Sequence, residues 1–292
     1  MIFPISFSIP ECKIIDKVRT KEKMFAHIIP GNGSTYIFSN ENDYYDDYAK
    51  SVFGRTQKKA GWDCLRHYEI LASGCIPFFP HIETCPPQIM THFPKDIVQK
   101  AMKEIHVDSN VNDESIIKVC EELLEYTRNH LTTKVMAKYI LEKSLYPNAQ
   151  KILFLSGQLN PDYLRCLTLH GFKDLFKDNC HDFPRIPHLY SDFPNPLSVY
   201  GKGFSYTCTL DPSFHIHREL EEIQKNIETH FYDVVIYGSI HRGTPLWDLV
   251  HQYYQKKEIV LLCGEDCDWG SNVHACPFEN NVDYNVFIRE LK

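Results

Sequence analysis

Four short apolar runs govern what this chain folds into: Ser51-Val-Phe-Gly, Lys151-Ile-Leu-Phe-Leu, Asp233-Val-Val-Ile-Tyr and Glu258-Ile-Val-Leu-Leu. Their residues do not alternate between apolar and polar. A strand wetted on one face alternates, whereas one covered on both faces reads as a continuous hydrophobic run. Segments with helical spacing separate these runs, and that order predicts an α/β protein with parallel strands and helices on both sides. In open sheets of this kind ligands bind beyond the carboxyl ends of the strands, so the residues directly after each run are the ones to examine.

The spacing predicts strands at 36–38, 51–56 and 75–79 in the first half, with helices at 43–50 and 62–73 between them. Helices at 94–105, 114–129 and 132–142 follow. Tyr146-Pro147-Asn148 then punctuates the chain and places a domain boundary after residue 147, giving segments 1–147 and 148–292. The second half restarts with Lys151-Ile-Leu-Phe-Leu, and Pro161-Asp162 opens a helix. An irregular stretch covers 179–212, a helix 215–231, and the last two apolar runs complete the pattern.

Thirty-one basic against thirty-eight acidic side chains give a net charge of −7, which offers no field for a phosphate polymer and argues against nucleic acid as a partner. No apolar run reaches the roughly 18 residues of a membrane span, and none reads as a secretory signal. Eleven cysteines, an odd number without a compact framework, suit free thiols in a reducing compartment. A cytoplasmic location is expected.

The most informative segment is Gln57 to Pro77, directly after the first run. On a helix from Trp62, residues Leu65, Tyr68, Leu71 and Ala72 share one face, while Asp63, Arg66 and Glu69 share another. Lys58, Lys59 and Arg66 lie near the helix start, where the macrodipole disfavours positive charge, so an anion is expected to compensate. A diphosphate suits that place, and Glu69 is able to accept hydrogen bonds from ribose hydroxyls. On pattern alone, a solvated helix face with an Arg66 to Glu69 or Asp63 ion pair fits equally.

Arg66-His-Tyr-Glu-Ile-Leu-Ala-Ser-Gly-Cys-Ile-Pro77 resembles the nucleotide-sugar-binding signature of exostosin-like glycosyltransferases, where an Arg, a Glu three residues on and a Gly-Cys-Ile/Val-Pro strand entry recur. The segment from Tyr45 to Phe93 is similar to the donor half of bacterial and large-DNA-virus glycosyltransferases with a K-K-x-G-W-D-x-L-R-H-Y-E-I-L block. The resemblance implies a GT-B fold, two facing Rossmann-like domains with the nucleotide sugar held by one of them. It implies Arg66 as a diphosphate ligand and Glu69 as a ribose ligand, with Lys58, Lys59, Trp62 and Asp63 around them. In such enzymes the donor half comes second. Here it comes first, which is read as a circular permutation that joining Lys292 to Met1 would undo.

Other post-strand residues are candidates for the acceptor side. Asp162, opening the helix after Lys151-Ile-Leu-Phe-Leu, is the first choice for a general base, with helix capping as its plain alternative. His241 ranks second, and Arg242 beside it is a candidate diphosphate contact. Glu265 and Asp266 rank third. Asp266-Cys-Asp268 has the spacing of a metal-binding D-x-D, and Cys263, Cys267, His274 and Cys276 have zinc-ligating side chains without a paired C-x-x-C.

The expectation is therefore an inverting glycosyltransferase without a metal requirement. It moves a sugar from a nucleoside diphosphate, a UDP-sugar such as UDP-xylose, to a hydroxyl of a glycan or glycoprotein. The alternatives are a metal-dependent D-x-D enzyme and a non-catalytic nucleotide-sugar-binding module.

Overall fold

A computed structural model of the chain describes residues 1–266 and 276–291. The elements in chain order are β1 (Ile2–Pro4), β2 (Lys23–Phe25), α1 (Glu41–Ala49), β3 (Ser51–Arg55), α2 (Leu65–Ala72) and β4 (Ile76–Phe78). Three helices follow, α3 (Lys95–Glu104), α4 (Glu114–His130) and α5 (Thr133–Lys143). The second half contributes β5 (Ile152–Leu155), α6 (Tyr163–Phe176), β6 (Cys180–Phe183), α7 (Leu220–Glu228), β7 (Val234–Tyr237), α8 (Trp247–Tyr253), β8 (Ile259–Cys263) and β9 (Asn285–Ile288).

The strands form two sheets, a three-stranded one in the order β2-β3-β4 and a six-stranded one in the order β1-β9-β8-β7-β5-β6. Every pairing in both is parallel. The expected α/β class with parallel sheets is what the chain adopts. All residues of β5, β7, β8 and β9 are buried, which is why these runs do not alternate.

Several elements differ from the sequence reading. Tyr36 to Phe38 is not a strand; the first strand of the small sheet is β2, whose three residues begin with a lysine and leave no apolar run. The irregular stretch contains β6, and the helix expected at 215–231 is confined to α7, with Asp211 capping a short turn before it. The predicted helix from Trp62 begins only at Leu65.

The first strand crosses the expected boundary, because β1 lies beside β9 and makes the first residues an edge of the second half's sheet. The Met1 ammonium donates to the carbonyls of Val282 and Tyr284, at the amino end of β9, whereas Leu291 follows its carboxyl end. The halves also share a core. One buried cluster runs from Leu65 and Ile76 through Ile140 to Ile152, Phe154 and Leu167. Helices α5 and α6 meet closely at Gly171, where a β-carbon would sit 2.1 Å from the Thr133 carbonyl oxygen. Among the described residues no helix is long and apolar enough to cross a membrane.

Candidate active site

In the six-stranded sheet the chain moves outward from β5 to β6, then returns to β7 on the other side of β5. Loops leaving a sheet at such a reversal diverge and open a crevice at the carboxyl ends of the strands. A cleft of about 640 Å³ lies there. Its walls are built by residues that follow β2 and β3 of the small sheet and β5, β7, β8 and β9 of the large one. The two sheets thus present their carboxyl ends to a common space.

The first wall starts with the turn before α2. Glu290, directly after β9, accepts the N–H groups of Trp62 at 3.1 Å and Asp63 at 2.9 Å. These are donors that an earlier helix start would have left for its first turn, so the carboxylate holds the turn open and α2 begins at Leu65. Gly61 is required here, since a β-carbon would stand 2.6 Å from both Glu290 Oε1 and Asp266 Oδ1. His67 seals the turn from below: Nε2 donates to the Trp62 carbonyl at 2.9 Å, and Nδ1 accepts from the Thr56 hydroxyl at 2.8 Å. Burial drives its pKa down to about 3, which keeps the ring neutral.

Arg66, Glu69, Lys59 and Asp63 all line the cleft. The Arg66 guanidinium donates to the Tyr36 hydroxyl at 3.2 Å and lies over that ring, and its Nε is buried without a hydrogen-bond partner. Glu69 is almost fully buried. One of its oxygens accepts from the Tyr44 hydroxyl at 2.5 Å and the other from the Ser205 hydroxyl. Burial raises its pKa above the usual carboxylate range. Beside it Phe38, Tyr44 and Phe204 form an aromatic lining, with Tyr44 5.4 Å from Phe204 and 6.0 Å from Phe38.

Asp63 plays a different part from the one its helix position suggested. Its carboxylate accepts the Phe7 N–H at 2.7 Å and the Tyr68 hydroxyl at 2.8 Å, so both oxygens are spoken for. Burial lifts its pKa to about 6 against the opposing pull of Arg289. Trp62 and Lys58 do not line the cleft: the Trp62 ring packs 6.1 Å from Phe79, and Lys58 lies over that indole at 5.5 Å.

The second wall carries Asp162, Arg242, Glu265, Asp266 and Arg289. Asp162 caps α6, its Oδ1 accepting the Arg165 N–H at 3.0 Å, while its Oδ2 lies 3.6 Å from Arg242 Nε. Arg242 also reaches Glu265 at 3.3 Å. The loops after β5 and β7 touch at Gly157, where a β-carbon would stand 1.8 Å from the Arg242 carbonyl oxygen. The buried Arg165 holds the first of these loops through the carbonyls of Gln158 and Asn160. His241 is not part of the cleft lining; its Nε2 lies 3.1 Å from Cys263 Sγ.

Arg289 links the walls. Nearly fully buried, it donates to the carbonyls of Gly264 at 2.9 Å and Asp63 at 2.7 Å, and to the carboxylates of Glu290 and Asp266. The D-x-D reading falls partly outside the described residues, since Asp268 lies there; Cys267 and His274 of the zinc reading do too. Cys263 and Cys276 are buried. Among the described residues no group of three or more His, Cys, Asp or Glu side chains is placed to hold a metal ion.

Tyr36, Tyr200, Lys202, Arg289 and Glu290 were not among the sequence candidates. The post-strand rule reaches the last two once Asn285-Val-Phe-Ile is read as a strand. For Tyr200 and Lys202 the signal is the Gly201-Lys-Gly203 run, whose three residues all have positive φ. No protein-family model matches this chain, and no curated protein and no solved structure matches it either.

Proposed function

We propose that the chain is a glycosyltransferase of the GT-B kind, with the donor half first in a circularly permuted order, moving a sugar from a UDP-linked donor to a glycan hydroxyl. The observation that carries this reading is the cleft at the carboxyl ends of both sheets, with Arg66, Lys59 and Glu69 on one wall and Asp162 on the other. Cations on one side suit a diphosphate leaving group, and a carboxylate on the facing side suits a group that accepts a proton from the incoming hydroxyl.

In this reading the uracil enters the aromatic lining of Phe38, Tyr44 and Phe204, and the ribose hydroxyls take the place of the Ser205 hydroxyl on Glu69. Arg66 and Lys59 neutralise the diphosphate, and Arg66's buried, unpartnered Nε is a donor ready for it. Asp162 removes the acceptor proton as the acceptor oxygen attacks the anomeric carbon from the face opposite the departing UDP. The anomeric configuration inverts. Arg242, between Asp162 and Glu265, holds that carboxylate in place.

Calorimetry with UDP, GDP and UDP-sugars, followed by measurement of free UDP from UDP-sugar with glycan acceptors, tests the reading. UDP binding with acceptor-dependent UDP release is the expected result. Binding of UDP-sugar without release identifies a binding module instead, and absence of any nucleotide binding overturns the proposal.

A further inference from the structure

The cleft has an aromatic feature that the donor reading leaves unused. Three tyrosine rings step outward from the core to its mouth: Tyr206, Tyr163 and Tyr200, with centroids 4.9 Å apart for the first pair and 5.8 Å for the second. Tyr206 is fully buried and Tyr200 is 74% exposed. An exposed ring is ordinarily free to swing, but the backbone that carries this one is held directly after it. The Tyr206 hydroxyl donates to the Tyr200 carbonyl at 2.8 Å. Next, Gly201 adopts φ +64° directly against Tyr163, where a β-carbon would stand 2.6 Å from the tyrosine hydroxyl.

Beyond Gly201 the backbone stays left-handed through Lys202 at φ 57° and Gly203 at φ 70°. A lysine in that region is uncommon, and such strain persists where the surroundings hold it and gathers at ligand sites. The surroundings here are the opposite wall: Lys202 donates to the Phe38 carbonyl and the Ser205 N–H to Glu41. The segment from Tyr200 to Ser205 therefore bridges the cleft, and it fixes Tyr200 at the rim beside Asp162 and Tyr163.

We infer that Tyr200 is a stacking platform for a pyranose ring, placing the acceptor sugar at the mouth of the cleft beside Asp162. A pyranose has one face of C–H groups with slight positive character and a rim of hydroxyls. An aromatic face is the electronegative surface that attracts such C–H groups, and the carboxylates of Asp162 and Glu265 accept from the hydroxyls. A nucleobase also stacks on a single ring, but it has no rim of hydroxyls for the two carboxylates to accept from. The assignment of this sugar as the acceptor rests on the glycosyltransferase reading; the binding of a pyranose does not.

The test is saturation-transfer NMR on the full chain with a panel of methyl glycosides, the β-xyloside, β-glucoside, β-galactoside and N-acetyl-β-glucosaminide, with UDP calorimetry in parallel. Wild-type protein is expected to transfer saturation to the C–H protons of one face of at least one glycoside. Tyr200→Ala should weaken that affinity about tenfold, Tyr200→Trp should keep it, and UDP affinity should be the same in all three. Absence of glycoside binding by the wild type, or undiminished binding by Tyr200→Ala with an unchanged melting temperature, overturns the inference. Glycoside binding that depends on Tyr200 in a protein that binds no UDP upholds the platform and overturns the nucleotide-sugar reading instead.

Discussion

Asp162 Oδ2 lies 3.6 Å from Arg242 Nε, and this contact ties the loop after β5 to the loop after β7 at the reversal of strand order. The same carboxylate caps α6 through its other oxygen. The proposed function gives this one side chain a chemical task beside its structural one, and a substitution can separate them. Asparagine is as good a helix cap as aspartate but has no negative charge. Asp162→Asn is expected to leave the melting temperature nearly unchanged while lowering transfer by roughly 10² to 10⁴ at saturating substrates. Asp162→Ala should in addition lose about 1 kcal/mol of stability. Near-normal turnover by the Asn variant would remove Asp162 from the chemistry.

Arg289 donates to two carbonyls and two carboxylates from a nearly fully buried position. Its removal leaves Asp266 without this partner and strands Glu290 without its cation in a place that burial already makes costly for a carboxylate. Arg289→Met should destabilise the protein by roughly 3 to 5 kcal/mol, measured by urea unfolding. A loss under about 1 kcal/mol would mean that solvent reaches the network.

At Gly157 the clash distance of 1.8 Å to the Arg242 carbonyl leaves no room for a methyl group. Gly157→Ala should cost roughly 1 to 3 kcal/mol and push the two loops apart. Gly33→Ala, where nothing lies within 4 Å, is the matched control and should be nearly silent. Equal melting temperatures for the two variants would contradict the described packing.

Burial lowers the pKa of five histidines, His67 to about 3 and His92, His170, His181 and His188 to about 4. Each is neutral when folded and takes up a proton on unfolding below its ordinary value of about 6.5, so the unfolded chain binds more protons. Their contribution is present above that value and is lost as the pH falls through it towards 4. Asp63, raised to about 6, acts in the opposite sense, and its contribution is lost as the pH rises. Glu69 and Glu290, also raised by burial, act with Asp63, and with five groups against three the unfolding free energy from urea titrations should fall between pH 7 and pH 5. A flat or rising profile would show that these rings titrate as they do in water.

The buried strands and α2 were legible because burial on both faces leaves a mark on consecutive residues. Arg66 and Glu69 were legible for the same reason, being the polar face of an otherwise apolar helix, and both line the cleft. Arg289 and Glu290 were not: their partners Trp62 and Asp63 lie more than two hundred residues away in the chain, and no local pattern records such a contact. Helical spacing groups Asp63 with Arg66 and the resemblance places it around the donor, yet it precedes the helix and its oxygens are held by Phe7 and Tyr68. Strands β2 and β6 leave no such mark because polar residues break their apolar runs, Lys23 at the head of β2 and His181 and Asp182 within β6.

The pairing of β1 with β9 sets an order of events during synthesis. Residues 2 to 4 leave the ribosome well before their hydrogen-bonding neighbours at 286 to 288, by a delay on the order of tens of seconds. Through that interval the first strand has no sheet edge to join, and this long-range contact closes late. Nascent chains arrested before residue 285 are therefore expected to lose residues 2 to 4 to protease, and chains in which β9 has emerged to keep them.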